Sequence, residues 1–106
     1  MGSKKSDGSP DAVPRTFDEA CYQTAKELAE LVCRKQRDYG KDNILDFGEF
    51  GILVRSNDKI ARLKNLHKTG REAVNEPKQD AWRDLGGYAL LAMILYRGWF
   101  TLPLEE

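Results

Sequence analysis

One stretch, Glu76 to Leu95, EPKQDAWRDLGGYALLAMIL, sets the strongest limit on how this chain can fold. Carboxylates recur at four-residue steps, Glu76, Asp80 and Asp84, the step continues to Tyr88, and the remainder is almost wholly apolar. On a helix turning ~100° per residue the three carboxylates occupy an arc of about 80°, which Gly87, Leu91 and Ile94 continue. The acidic face thus runs into a buried one, where charge needs cations or hydrogen bonds. Acidic side chains also suit a first helical turn for dipole reasons alone, which serves for Glu76 but less well for Asp84, two turns in.

A chain of 106 residues builds one domain with one core. Its 17 Lys plus Arg balance 17 Asp plus Glu, so bulk charge gives no hold on nucleic acid, and any anion it takes is small and locally bound. No apolar run reaches the ~18 residues that span a bilayer and no signal-peptide segment opens the chain, so the expected location is the cytoplasm, without membrane association. Cys21 and Cys33, ~18 Å apart if on one helix, are expected to be reduced packing residues. His67 is the sole histidine, which leaves little for His-based metal cages or catalytic triads.

Residues 1–15 combine Gly, Ser, Pro and charge without periodicity, the composition of a flexible tail, and residues 16–106 form the domain. Thr16 opens T-F-D-E, a capping box that starts a first helix with Cys21, Ala25, Leu28 and Val32 as its apolar stripe. Gly40 ends it, and KDNILDFGEFG follows as a turn-rich connection with Gly48 and Gly51 as breakers, long enough to border a site. A second helix is expected from Glu49 or Phe50 to His67. Arg55, Asp58 and Arg62 form a polar strip along it, with Ile52, Leu63 and Leu66 on one side and Phe50, Val54 and Ala61 on the other. That strip is flanked by buried surface, or it is an exposed charge ladder worth a few tenths of a kcal/mol per pair. Gly70 stops this helix. Asn75 is the expected N-cap of the third, Pro77 lies in its first turn, and Gly98 caps its end near Arg97. Gly86 and Gly87 call for close approach of another backbone. Trp99, Phe100, Leu102 and Leu104 must fold back or meet another subunit.

No strand, hairpin or repeat pattern occurs. The fold class is all-α, a small bundle of three main helices with short extra turns near residues 43–47 and at the C-terminus. Three helices give a thin core, which a homodimer or higher homo-oligomer would complete.

Carboxylates on facing helices can hold divalent cations with the oxygen ligands that Mg²⁺ prefers. Asp58, Glu76, Asp80 and Asp84 are the candidate metal ligands, with Mn²⁺ a possible substitute for Mg²⁺. Arg55, Lys59 and Arg62 are candidate phosphate clamps. Walker loops, GxGxxG, CxxC and HExxH motifs are all missing from the sequence.

Three segments in order, KQRDYGKDNI (35–44), GEFGILVRSNDKIARLKNL (48–66) and NEPKQDAWRDLGGYALLAMIL (75–95), resemble the phage and bacterial nucleotide-modification-associated domain. That domain is similar to the all-α MazG-type nucleoside triphosphate pyrophosphohydrolases, which bind Mg²⁺ through Glu-x-x-Glu on one helix and Glu-x-x-Asp on the next. The resemblance implies cleavage of a (deoxy)nucleoside triphosphate to monophosphate and pyrophosphate, with Asp58 and Asp84 catalytic. It further implies that Lys35, Arg55, Lys59 and Arg62 steady the phosphates while Tyr39 or Trp82 stacks on the base. Asp84 fits the Asp that ends the second motif. Ala81 stands where its partner Glu belongs, with Asp80 one position away, and the first motif is represented only by Asp58 with Lys59 and Arg62. The depleted acidic set keeps two other expectations open: a non-catalytic nucleotide-binding protein that sequesters a nucleotide or assists DNA modification, and a helical interaction module whose strips are salt bridges.

Overall fold

A computed structural model describes residues 13–71 and 77–105. It contains four helices: α1 (Phe17–Tyr39), α2 (Asp42–Leu45), α3 (Gly48–Thr69) and α4 (Lys78–Tyr96). Among the described residues there is no strand. α4 packs chiefly on α3 and secondly on α1, while α2 leans on α3. The all-α bundle is as expected, with the extra turn near residue 43 realised as α2.

Local chemistry sets each boundary. Thr16 caps α1 by accepting the Glu19 amide at 3.1 Å, but the Glu19 carboxylate takes the amide of Arg15 at 2.8 Å rather than that of Thr16. Gly40, at φ 75°, closes α1 through its N–H to the Gln36 carbonyl. Gly70, at φ 67°, does the same for α3 with Leu66. Gly48, the first residue of α3, has φ 58°, a turn in the backbone after α2 as expected of a breaker. Gly51 is instead inside α3. A Cβ there would stand 2.6 Å from that of Phe47, so the glycine admits Phe47, which folds over the first turn. The expected N-cap Asn75 lies outside the described residues. Pro77 takes the cap position itself at φ −58° and ψ 151°, its carbonyl accepting the Asp80 amide at 3.0 Å.

The core is small. Ile44 of α2, Ile52 of α3 and Phe100 beyond α4 are buried together against Tyr88, Leu91, Ala92, Ile94 and Leu95 of α4. Phe100 therefore folds back, as one branch of the C-terminal expectation required, while Trp99 and Leu102 stay exposed and Arg97 stacks on Trp99 at 4.6 Å. Two polar ties hold this end in place: Arg37 donates to the Glu105 carbonyl at 3.1 Å, and the Tyr96 hydroxyl donates to Glu49 on α3.

α1 contributes less than its stripe promised. Leu28 and Val32 are half-buried, but Ala25, Cys21 and Cys33 are exposed, and both thiols are free. The two that are half-buried meet glycines of α4. A Cβ on Gly86 would lie 3.0 Å from Leu28 Cδ2 and one on Gly87 3.3 Å from Val32 Cγ2, so α1 seats two side chains on bare α4 backbone. The close approach is side chain to backbone, not the backbone to backbone contact expected.

α3 is turned the opposite way from a surface helix. Ile52, Arg55, Lys59, Arg62, Leu63 and Leu66 point inward, while Phe50, Leu53, Val54, Ile60 and Ala61 are exposed. Arg55 and Arg62 of the polar strip are thus partly buried, and the apolar flank at Phe50, Val54 and Ala61 faces solvent. Because Ile52, 4% exposed, joins three elements, Ile52→Ala should lower unfolding free energy by roughly 2–5 kcal/mol in a urea titration followed by circular dichroism.

Candidate functional site

The glycine-seated crossing of α1 on α4 brings Lys35 to Asp84, and α3 delivers Lys59 to the same carboxylate. Lys35 Nζ lies 2.9 Å from Asp84 Oδ1 and Lys59 Nζ 2.8 Å from Oδ2, so one Asp joins three helices. Its side chain is only 17% exposed. Burial alone would raise the Asp84 pKa, but hydrogen bonds from Lys59 and Lys35 and their positive charge together outweigh it and hold the carboxyl below the usual Asp value.

Around this junction opens a cavity of about 520 Å³, lined by Lys35, Gln36 and Tyr39 of α1, Asn43 and Ile44 of α2, Arg55 and Lys59 of α3, and Arg83, Asp84 and Tyr88 of α4. Four cationic side chains and one carboxylate line it. Arg55 is fixed by donating to Asn43 Oδ1 at 2.9 Å, so α2 aims a guanidinium at the cavity. A second groove, about 630 Å³, shares Lys35, Arg83 and Asp84 with the first and adds Arg34, Asp80 and Trp82. A shallower one, about 440 Å³, lies between Arg55, Asp58, Lys59, Arg62 and Tyr88.

Of the expected nucleotide residues, Lys35, Tyr39, Arg55 and Lys59 meet in the central cavity, Arg62 lies in the adjoining shallow groove, and Trp82 is across the Lys35–Asp84 pair. The expected metal ligands are arranged differently. Asp84 gives its two oxygens to two lysines, and Asp80 accepts from Arg83 Nη1 at 2.7 Å. Asp58 stands in the shallow groove, and Glu76 lies outside the described residues. No three His, Cys, Asp or Glu side chains among the described residues come together as a metal-holding group. Asp84 and Asp80, the described candidates on α4, are thus each matched to a cation.

Sequence reasoning passed over Asn43, Arg83 and Tyr88 as cavity residues. Arg83 carried a readable signal, being the neighbour of Asp84 and three residues from Asp80. Tyr88 continued the carboxylate step. Asn43 had only the length of its loop to mark it. Among the described residues no helix is long and apolar enough to cross a membrane. No family model, curated protein or solved structure matches this chain.

The lowered Asp84 pKa fixes the sign of a pH effect. An Asp held below its unfolded value of ~3.9 stabilises the fold above that value, and the contribution is lost as pH falls through the folded pKa. Thermal midpoints measured from pH ~7 down to ~2 should therefore show wild type losing stability more steeply on the acid side than Asp84→Asn, the two converging at the acid end. Parallel curves would mean that the lysine pairs contribute nothing.

Proposed function

We propose that the protein binds a nucleotide at the central cavity, its phosphates held by Lys35, Arg55, Lys59 and Arg83. The observation that carries the proposal is the gathering of these four cations, from three helices, around one cavity, with Lys35 and Lys59 paired to its partly buried carboxylate. In a chain of zero net charge such a concentration of cations is local by design rather than an overflow of bulk charge. Arginine supplies a planar fork for phosphate oxygens and lysine a mobile point charge. Tyr39, in the same cavity, offers a face for the base, and Trp82 in the adjoining groove offers a second.

Asp84 acts as the internal stand-in for phosphate. It neutralises Lys35 and Lys59 while the cavity holds no anion, and a polyphosphate of higher charge competes for the same ammonium groups. Binding then exchanges one pair of charge-assisted contacts for another, which suits reversible capture. The order of the three sequence motifs supports a nucleotide over other phosphorylated ligands.

A second reading, Mg²⁺-dependent pyrophosphohydrolysis, is favoured by one feature: the carboxylate shared by both larger cavities is Asp84, which fits the end of the second acidic motif. The two readings diverge on the same variant. If the protein is a binder, Asp84→Asn removes a competitor and a source of repulsion, so nucleotide affinity rises. Lys59→Ala and Arg55→Ala should each weaken it by about 10- to 100-fold, the range for loss of a charge-assisted hydrogen bond. If it is a hydrolase, Asp84→Asn abolishes turnover with helix content intact.

Incubation with a panel of ribo- and deoxynucleoside triphosphates, modified bases included, in Mg²⁺ or EDTA and with products resolved by chromatography, decides between them. Intact nucleotide recovered from the denatured protein supports binding. Metal-dependent monophosphate plus pyrophosphate supports hydrolysis. A result with neither retained nucleotide nor product under either condition removes both readings and leaves a helical interaction module.

A further inference from the structure

We infer that the outer face of α3 is a self-complementary dimer interface that packs antiparallel on α3 of a second copy of this chain, with Asn57 at the two-fold axis. The inference is independent of what occupies the cavity.

α3 turns Ile52, Arg55, Lys59, Arg62, Leu63 and Leu66 inward and leaves Phe50 72%, Leu53 60% and Ile60 44% exposed. With Val54 and Ala61 these side chains recur at steps of three, four and seven, the spacing of a helix-pairing seam. The seam follows one line along most of α3, unlike the isolated exposed apolar side chains normal on a monomer.

The sequence of the seam identifies its occupant. Reading outward from Asn57, Val54 and Leu53 precede it as Ile60 and Ala61 follow it, and Phe50 lies seven residues before as Lys64 lies seven after. Antiparallel pairing about Asn57 therefore sets Val54 against Ile60, Leu53 against Ala61, and Phe50 under the aliphatic stem of Lys64. Parallel pairing would set Lys64 against Lys64. The antiparallel arrangement also brings the acidic start of the helix, at Glu49, toward its basic end, Lys64, His67 and Lys68, and opposes the two helix dipoles. A polar Asn within an apolar seam is a device for fixing register. Each residue class thus meets its complement on an identical copy, the requirement of a two-fold interface.

The test is the mass of the full chain by light scattering and its cross-linking pattern. Wild type should run at twice 12.1 kDa, and Leu53→Asp or Ile60→Asp should run at 12.1 kDa with unchanged helical circular dichroism, since both side chains are exposed within one copy. In a Cys21→Ser, Cys33→Ser background, Asn57→Cys should form an interchain disulfide on mild oxidation, whereas Phe50→Cys should not. A 12.1 kDa wild type at on the order of 100 µM, or a dimer indifferent to both Asp substitutions, overturns the inference. Cross-linking through Phe50→Cys, or none through Asn57→Cys, overturns the antiparallel register.

Discussion

The contact of Asp84 with Lys35 and Lys59 is the constraint on which the arrangement of helices depends. Lys35 belongs to α1, Lys59 to α3 and Asp84 to α4, so one carboxylate joins every long helix of the bundle. A partly buried ion pair of this kind adds little net stability over an apolar substitute, because each charge must first leave water. Removing one partner is a different matter, since the remaining charges are then left together in a cavity with Arg55 and Arg83. The cations therefore require an anion at the centre, supplied by Asp84 or by a ligand. Structure and proposed binding rest on the same requirement.

Two residues of α4 beside the ion junction lack side chains. Gly86 and Gly87 admit Leu28 and Val32 close to α4, on the same crossing that carries the Lys35–Asp84 pair. A glycine inside a helix costs about 1 kcal/mol against alanine, so two in succession are explained only by a gain elsewhere. Here the gain is one of position. Packing of α1 on α4 and the charge constellation meet at one local sequence feature.

Much of the fold was legible because its signals are local. The Thr16 cap and the stops at Gly40 and Gly70 act within one turn of themselves, and each took the expected place. Gly51 was misread because a glycine that breaks a helix and one that admits a neighbouring side chain look the same in sequence; only the position of Phe47 separates them. The stripe on α1 was half right, since Cys21 and Ala25 have the right spacing but α4 offers them no surface. At the site, the basic residues were legible as a set because Arg55, Lys59 and Arg62 share a helix face. The acidic set was less so. Spacing along α4 places Asp80 and Asp84 correctly but says nothing of whether a metal ion or an ammonium group will stand beside them, and the partners Lys35 and Lys59 come from other helices.

α3 brings these points together. Its sequence carries an apolar strip and a cationic strip on different faces, and a helix in a solitary small domain would bury the first. Here the cationic strip is turned inward beside Ile52, Leu63 and Leu66, and the second apolar flank, Phe50, Val54 and Ala61, is turned outward. Inward, Arg55 and Lys59 find Asn43 and Asp84, which lower the cost of taking cations from water. Outward, Phe50, Leu53 and Ile60 would be a standing cost to a monomer. The second copy proposed for this face would remove that cost. On that proposal, apolar burial made between two copies would offset the thin core that a charged cavity leaves inside one.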